Sequence, residues 1–328
     1  MEIRQLGETS LHSSTIGLGT WVMGGWMWGG ANDQDSVAAI RTALDGGINF
    51  IDTAPIYGHG HAETLVGQAL RESGQRENVI LATKVGLEWD GEQTKVWRNS
   101  SPARLQSEVE DSLRRLGIEA IDLYQIHWPD GSTPLASTME ALLELQRQEK
   151  IRFIGVSNFS VSQMEECLKI GAVDTAQPPY NLFERGIEDD LLPFCTRRGI
   201  GTLVYGPICR GLLSGKYSGK ETFGKEDIRS MDPKFLPPKF AEYVQCVNQL
   251  KLVAEGYGKS VGQLAVRWCL DQPGVDIALC GVRSPQQIEE LLGAVGWSLQ
   301  TSDVAFIDEI VQETISEKVG PEFMRPPE

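Results

Sequence analysis

Four side chains in the first half of the sequence have the chemistry of a proton-transfer site: Asp52, Tyr57, Lys84 and His127. A phenol titrates at about pH 10, so Tyr57 needs neighbouring charges to become an effective proton donor. An ammonium at Lys84 would favour the phenolate and lower the pKa of Tyr57, and a carboxylate at Asp52 would keep that ammonium charged. A neutral His127 would orient a carbonyl oxygen. This set predicts protonation of an oxygen on which negative charge develops, without a metal or a nucleophile.

Each of these residues ends or closely follows a short apolar run. The chain contains eight such runs: TIGLG (15–19), INFID (48–52), VILATK (79–84), IDLYQIH (121–127), IRFIGVSN (151–158), VDTAQ (173–177), IGTLVYG (200–206) and DIALCG (276–281). Apolar runs bounded by glycine and polar residues are typical of strands buried on both faces of a parallel sheet. The polar residues that end them are Asp52, Lys84, His127, Ser157, Asn158, Gln177 and Tyr205. In a barrel, strand ends of this kind converge on one mouth.

The segments between the runs have helical spacing. Ser101 is a candidate N-cap with Pro102 at the first helical position, and an apolar stripe extends from Leu105 to Leu116. Residues 135–143 repeat the pattern. Strands that alternate with helices favour an α/β fold, a (β/α)8 TIM barrel, over a doubly wound sheet.

We expect one barrel domain over residues 1–328. Residues 1–14 precede the first strand and are expected to form an N-terminal β-hairpin that plugs the bottom of the barrel. Residues 206–240, after strand seven, form the longest non-periodic stretch, and long loops in compact domains are usually functional.

Composition excludes several classes of protein. The chain has 30 basic and 45 acidic residues, a net charge of -15, which disfavours nucleic-acid binding. It has no apolar run of membrane-spanning length and no secretion-signal layout at its start. We therefore expect a soluble, cytoplasmic protein. The six cysteines form no CxxC pair and are expected to be reduced structural thiols.

Several motifs together resemble the aldo-keto reductase superfamily. They are GLGTW (17–21), IDTAPIYGHGHAE (51–63), ATK (82–84), IDLYQIHWPD (121–130), IRFIGVSNFS (151–160) and GVRSPQQIEE (281–290). Three further stretches are similar to the bacterial general stress protein 69 group of that superfamily: QPPYNLFER (177–185), CRGLLSGKY (209–217) and VGPEFM (319–324). The match covers nearly the whole chain in order. It implies that Tyr57 is the general acid, that Lys84 and Asp52 tune it, and that His127 aligns the substrate.

The resemblance also implies NADPH (NADP+) in an extended pose across the barrel mouth. Ser157, Asn158 and Gln177 match the residues that hold the carboxamide, and Tyr205 matches the aromatic residue that stacks on the nicotinamide. These residue types suit the binding of a nicotinamide, since a carboxamide needs hydrogen-bond donors and acceptors and a flat ring needs a π-face. The alternative for Ser157 and Asn158 is a helix N-cap before Phe159.

Further cofactor contacts are implied by the same motifs. They are Gly19, Thr20, Trp21, Asp52, Gly206, Pro207, Cys209, Arg210, Gly211, Leu212, Ser214, Lys216, Arg229, Gly281, Val282, Arg283, Gln287 and Glu290. Arg283 lies next to a predicted helix start, where a guanidinium and helix N–H groups together would bind the 2′-phosphate of NADPH. Gln287 and Glu290 match adenosine-contacting positions. Leu291 departs from the family, in which many members have Asn against the adenine edge.

Residues 206–234 have a local excess of positive charge, with six basic and four acidic side chains. On an acidic protein this excess would suit a pyrophosphate. A solvated loop is the alternative.

Some other signals do not indicate function. GLLSGK (211–216) is one residue short of a Walker A loop, and there is no GxGxxG. The HxH of His59 and His61 beside Glu63 is interpreted as a loop and helix start, not as a metal site. Five tryptophans near strand ends are interpreted either as core or as walls of an aromatic or apolar substrate pocket: Trp21, Trp26, Trp28, Trp89 and Trp128.

The sequence therefore predicts an NADPH-dependent oxidoreductase that reduces a small aldehyde or ketone to an alcohol, with no nucleic-acid or membrane partner. Two alternatives from other classes are a barrel lyase with Lys84 as Schiff-base nucleophile and an NADPH-binding redox-sensing partner protein with little turnover.

Overall fold

The computed structural model describes residues 1–328 and contains twelve strands and ten α-helices. The strands are β1 (Ile3–Gln5), β2 (His12–Ser14), β3 (Ile16–Gly19), β4 (Phe50–Asp52), β5 (Ile80–Val85), β6 (Leu87–Trp89), β7 (Val96–Arg98), β8 (Ile121–Ile126), β9 (Ile151–Ser157), β10 (Thr175–Gln177), β11 (Gly201–Tyr205) and β12 (Ile277–Gly281). The helices are α1 (Asp33–Asp45), α2 (His61–Ser73), α3 (Pro102–Leu116), α4 (Leu135–Arg147), α5 (Val161–Leu168), α6 (Leu191–Arg198), α7 (Lys239–Gly256), α8 (Val261–Asp271), α9 (Pro285–Leu292) and α10 (Thr301–Thr314).

Eight strands form a closed barrel in the order β3-β4-β5-β8-β9-β10-β11-β12, and every neighbouring pair is parallel. The pairing of β12 with β3 closes the sheet, in register from Ala278 opposite Ile16 to Gly281 opposite Gly19. Each of the eight apolar runs contributes one barrel strand. The predicted (β/α)8 barrel is therefore confirmed, and the doubly wound sheet is excluded because the sheet has no open edge.

Helix signals in the sequence are confirmed where capping chemistry supports them. The Ser101 hydroxyl accepts a hydrogen bond from the Arg104 N–H, and α3 begins at Pro102. By contrast, α5 begins at Val161, and its N-cap is Ser160, which forms a capping box with Gln163. The alternative in which Ser157 and Asn158 cap this helix is therefore wrong.

The bottom of the barrel is closed by the predicted hairpin. Strands β1 and β2 pair antiparallel, and Leu6 in the connection is fully buried with Phe50, Ile80 and Leu123 inside the barrel. This apolar layer leaves the opposite end of the barrel as the mouth.

Three segments surround the mouth. The antiparallel hairpin of β6 and β7, which the sequence analysis did not predict, follows β5 directly. The long loop after β11 is confirmed, because no α-helix forms between Tyr205 and Lys239. Residues 319–328, called here the C-terminal segment, line the same mouth from Phe323 onward. None of the helices combines the length and apolar character that a membrane crossing requires.

Candidate functional site

Lys84 is fully buried near the end of β5, below the mouth of the barrel. Its ammonium donates to the Asp52 carboxylate (Oδ2) at 2.6 Å, to the Thr53 carbonyl at 3.0 Å and to the Tyr57 hydroxyl oxygen at 3.1 Å. Three acceptors are the full capacity of an ammonium group. The structure therefore brings Asp52, Tyr57 and Lys84 together.

The second oxygen of Asp52 is held by two amides. Oδ1 accepts from the Nε2 atoms of Gln177 at 2.9 Å and Gln125 at 3.3 Å, and Gln177 also donates to Gln125 Oε1 at 3.2 Å. Gln125 is not among the site residues expected from the sequence. It lies two residues before His127, and period-two alternation along a strand places such residues on the same face. That spacing was the signal that could have identified it.

Burial is the main influence on the pKa of Tyr57. It raises the pKa of the phenol well above its ordinary value, and the nearby Asp52 carboxylate adds to the effect. The expectation that the pKa of Tyr57 is lowered is wrong, because burial disfavours a phenolate and the Asp52 carboxylate adds to this effect. Burial also lowers the pKa of Lys84, against the opposing effect of Asp52. Tyr57 is thus a neutral phenol that accepts one hydrogen bond, from Lys84, and donates none within the protein.

His127 follows β8 and stands beside the phenol. Its ring meets that of Tyr57 edge-on, with centroids 5.8 Å apart and planes at 82°. Burial, then the charge of Lys84, lower the pKa of His127 well below its ordinary value, so the imidazole is neutral near pH 7. Neither ring nitrogen of His127 has a hydrogen-bond partner in the protein. Both the phenol proton and an imidazole nitrogen are therefore available to a ligand.

Two glycines allow the Tyr57 loop to approach the loop after β3. Gly58 has φ +67°, and a Cβ there would lie 2.3 Å from the Gly24 carbonyl oxygen. A Cβ on Gly24 would in turn lie 2.5 Å from the Tyr57 carbonyl. Trp21, three residues before Gly24, stacks on Tyr57 with centroids 5.9 Å apart and planes at 18°. The indole thus supports one face of the phenol.

The residues expected to hold a carboxamide form a cluster next to His127. Asn158 donates from Nδ2 to the His127 carbonyl at 2.9 Å and to the Ser157 hydroxyl at 3.0 Å, while the Tyr205 hydroxyl donates to Asn158 Oδ1 at 2.8 Å. The Ser157 hydroxyl donates to the Gln177 carbonyl at 2.8 Å. The amide oxygen of Gln177 accepts no hydrogen bond within the protein. It remains able to accept from a ligand amide, and Asn158 Oδ1 has a second lone pair for the same purpose.

A cavity of about 940 Å³ occupies the mouth. Its lining includes Asp52, Tyr57 and His127, and Lys84 lies directly beneath. Seventeen expected cofactor contacts line it: Gly19, Thr20, Trp21, Asp52, Ser157, Asn158, Gln177, Tyr205, Gly206, Pro207, Arg210, Gly211, Lys216, Arg229, Gly281, Arg283 and Gln287.

Five expected cofactor contacts lie outside this lining and stay predictions: Cys209, Leu212, Ser214, Val282 and Glu290. Cys209, Leu212 and Val282 are buried in the hydrophobic core behind the loops. The Ser214 hydroxyl donates to the Gly211 carbonyl at 2.6 Å. Glu290 is exposed on α9 and accepts from the Ser260 hydroxyl at 3.1 Å. Their side chains are directed by core packing and local hydrogen bonds, which motif matching does not detect.

Tryptophans form much of the cavity wall. Of the five selected from the sequence, four line it: Trp21, Trp26, Trp28 and Trp128. Trp97 in β7, which was not selected, lines it as well. Trp89 does not, because its ring packs against His59 at 5.3 Å and the Arg104 guanidinium at 5.2 Å. His61 is also engaged, with Nε2 2.8 Å from Asp33.

Three cations line the end of the cavity next to α9: Lys216, Arg229 and Arg283. The guanidinium groups of Arg229 and Arg283 lie 5.6 and 5.8 Å from the Trp28 ring, and Arg283 also donates to the Trp28 carbonyl at 2.6 Å. Burial, followed by the charges of Arg229 and Arg283, lowers the pKa of Lys216. Burial, followed by the charge of Arg229, lowers the pKa of Arg283. Asp227 pairs with Arg229 alone. This end of the cavity is suited to bind an anion.

Two other basic residues of the long loop are neutralised within the protein. Arg210 pairs with Glu184 and, at 2.7 Å, with Asp232, while Lys234 pairs with Glu184 at 2.8 Å. The four side chains form a buried ion cluster. The positive excess expected from residues 206–234 is therefore smaller at the cavity, because sequence counting cannot pair charges across the fold.

The C-terminal segment was matched as a motif but not expected at the site. Lys234 Nζ donates to the Val319 carbonyl at 3.0 Å, and the Pro327 carbonyl accepts from the Arg98 backbone N–H at 3.1 Å. Between these two contacts the segment lines the cavity. No local pattern in the sequence predicts this position.

Comparison with known proteins gives a consistent result. A protein-family model with the description "Aldo/keto reductase family" matches residues 15–312 of this chain. The chain is 52% identical over 328 residues to the aldo-keto reductase YhdN of Bacillus subtilis, covering 100% of this chain and 98% of that protein. It is 34% identical over 322 residues to the NADH-specific methylglyoxal reductase of Escherichia coli, covering 94% and 97%. Among solved structures, the glycerol dehydrogenase AKR11B4 of Gluconobacter oxydans superposes with a TM-score of 0.90 at 47% identity, covering 98% and 99%.

Proposed function

The chain belongs to the aldo/keto reductase family and is an oxidoreductase that acts on carbonyl groups, and from that premise we propose that it reduces aldehydes and ketones to alcohols with NADPH. Tyr57 is the general acid, Lys84 and Asp52 set its environment, and His127 orients the carbonyl oxygen. When bound, the reduced nicotinamide supplies the hydride.

One observation carries this proposal: the phenol of Tyr57 accepts its hydrogen bond from Lys84 and has its own proton free. A carbonyl oxygen placed against that proton gains negative charge as it is reduced, and the phenol transfers the proton to it. The ammonium 3.1 Å away then stabilises the phenolate left behind. The raised pKa keeps the proton on Tyr57 until that charge develops.

His127 supplies the second contact to the substrate. A neutral imidazole can donate one hydrogen bond to a carbonyl oxygen without protonating it. With the edge-on Tyr57 ring beside it, the two groups bind the same oxygen from two sides. This orientation presents the carbonyl carbon to the cofactor side of the cavity.

The residues at the mouth fit a nicotinamide dinucleotide. The acceptor oxygens of Asn158 and Gln177 suit a carboxamide, and the half-buried ring of Tyr205 suits a flat heterocycle. The cluster of Lys216, Arg229 and Arg283 suits the extra phosphate of NADPH, with Arg283 two residues before α9. Relatives differ in the cofactor that their names give, since one similar protein is named NADH-specific and another has NADP(+) in its name.

The lyase alternative is disfavoured by the surroundings of Lys84. A Schiff base needs a neutral, accessible amine. Lys84 is fully buried, paired with a carboxylate, and all three of its hydrogens are engaged.

The test is NADPH oxidation with an aromatic aldehyde, compared between the native protein and Tyr57→Phe. Because the hydroxyl has only one protein partner, we expect intact folding, unchanged NADPH binding and a kcat lower by about 10²- to 10⁴-fold. Full activity in Tyr57→Phe would refute the assigned role. Tight NADPH binding without turnover in the native protein would instead favour the redox-sensing alternative.

A further inference from the structure

Positively charged side chains outnumber negatively charged ones around the cavity, although the protein has a net charge of -15. The lining contains two carboxylates, Asp52 and Glu328, and six cations: Lys95, Arg210, Lys216, Arg229, Arg283 and Arg325. Four of these cations are already accounted for. Arg210 and Arg229 pair with carboxylates, and Lys216 and Arg283 belong to the cluster next to α9. Lys95 and Arg325 remain.

The backbone at Arg325 is held on both sides. Before it, Lys234 Nζ donates to the Val319 and Gly320 carbonyls at 3.0 and 3.3 Å, and the Arg210 guanidinium lies 5.2 Å from the Phe323 ring. The Arg325 N–H itself donates to the Glu322 carbonyl at 3.1 Å.

After Arg325, the segment is attached to the opposite side of the mouth. The backbone N–H and Nε of Arg98 donate to the Pro327 carbonyl at 3.1 and 3.4 Å, and Arg98 pairs with Glu328. Gly131 N–H donates to Glu328 Oε2 at 3.1 Å. Arg325 therefore lies within a short backbone bridge across the mouth.

Arg325 has no carboxylate partner in the protein. The two acidic residues of the lining are both engaged, Asp52 with Lys84 and Glu328 with Arg98. The side chain of Arg325 is exposed, lines the cavity and makes no ion pair. An unpaired guanidinium on a held backbone at the entrance of a site attracts anions and can bind a carboxylate through two parallel N–H groups.

We propose that this reductase prefers carbonyl substrates that have a carboxylate remote from the reacting group, and that Arg325 binds this carboxylate. The inference rests on the proposed function, since Tyr57 and His127 bind the other end of the substrate. The cavity lining also includes the apolar side chains of Val96, Trp97 and Phe323, which suit an apolar carbon skeleton. Lys95, in the neighbouring hairpin, adds positive charge at the same entrance.

The experiment compares 4-carboxybenzaldehyde with its neutral methyl ester, methyl 4-formylbenzoate. We measure kcat/KM for both aldehydes with NADPH in the native protein, in Arg325→Gln and in Lys318→Gln. The last is a matched control, because Lys318 is an exposed cation just outside the C-terminal segment that does not line the cavity. For each protein we take the ratio of kcat/KM for the acid to kcat/KM for the ester. Comparing this ratio between proteins cancels the different intrinsic reactivities of the two aldehydes.

We expect the acid-to-ester ratio to fall about fivefold in Arg325→Gln, the size of an exposed ion pair, and to stay unchanged in Lys318→Gln. Arg325→Glu should lower it further. Added salt should reduce kcat/KM for the acid and not for the ester. An unchanged ratio in Arg325→Gln, with the ester still reduced, overturns this inference and leaves the proposed function standing. Failure of the native protein to oxidise NADPH with either aldehyde overturns both.

Discussion

The ion pair between Asp52 and Lys84 allows a quantitative test of how the site is held together. The side chains are 5% and 0% exposed, and the two charged atoms are 2.6 Å apart. We consider Lys84→Met, Asp52→Asn and the double variant. Lys84→Met leaves a buried carboxylate that retains two amide donors. Asp52→Asn leaves a buried ammonium with two neutral acceptors.

Asn cannot reproduce the bonds of Asp52. One carboxylate oxygen faces Lys84 and the other faces the Nε2 atoms of Gln125 and Gln177, so both oxygens accept from donors. An Asn amide has one oxygen, and its NH₂ would face a donor on one side. Breaking a buried pair by removing one partner costs about 3 to 5 kcal/mol. We expect each single variant to lose about 3 kcal/mol, because neutral partners remain.

In the double variant no buried charge is left. Its loss of stability should therefore be smaller than the sum of the two single losses by about 2 kcal/mol, within the range for residues in direct contact. The assay is urea unfolding at pH 7, followed by tryptophan fluorescence and by circular dichroism, with coincident transitions required. Strictly additive losses would refute the reasoning, since they would mean that the two charges do not stabilise each other in the folded protein.

Two further predictions concern the anion site and the buried ion cluster. Arg283→Gln should raise the KM for NADPH about tenfold and leave the KM for NADH unchanged, since a charge-assisted bond to the extra phosphate is lost. The control is Lys220→Gln, because Lys220 is an exposed cation of the long loop that does not line the cavity. An equal effect of Arg283→Gln on both cofactors would contradict the assignment. Burial alone would raise the pKa of Glu184, but the charges of Arg210 and Lys234 outweigh it and lower that pKa to about 2. Because the folded-state pKa lies below the unfolded value, the stability that Glu184 contributes is present above about pH 5 and is lost as the pH falls towards 2. Between pH 5 and 3 the free energy of unfolding should drop by about 2 kcal/mol more in the native protein than in Glu184→Gln, measured by urea titration at each pH; equal drops would contradict the low pKa.

The reactive quartet could be predicted because each member is tied to a strand. Asp52 and Lys84 end apolar runs, and closing a barrel brings the ends of neighbouring strands together whatever the details of the loops. Gln125 could have been found by the same argument from strand alternation. The pKa shift of Tyr57 could not be predicted, because its direction depends on how completely the phenol is buried.

The contacts made by the loops were less predictable. Arg210 and Lys234 contribute to a local charge count in the same way as Lys216, yet only the fold pairs them with Glu184 and Asp232. Likewise, Cys209 and Leu212 lie within a matched motif but face the core.

By itself, the sequence determined the barrel, its N-terminal hairpin and the meeting of Asp52, Tyr57 and Lys84, because hydrophobic periodicity and strand order are local properties that a closed parallel sheet converts into position. Only the tertiary structure decided which charges remain unpaired at the mouth and which segment crosses it. Arg98 and Pro327 are 229 residues apart in the chain, and a contact of that range leaves no periodic pattern in the sequence around either residue.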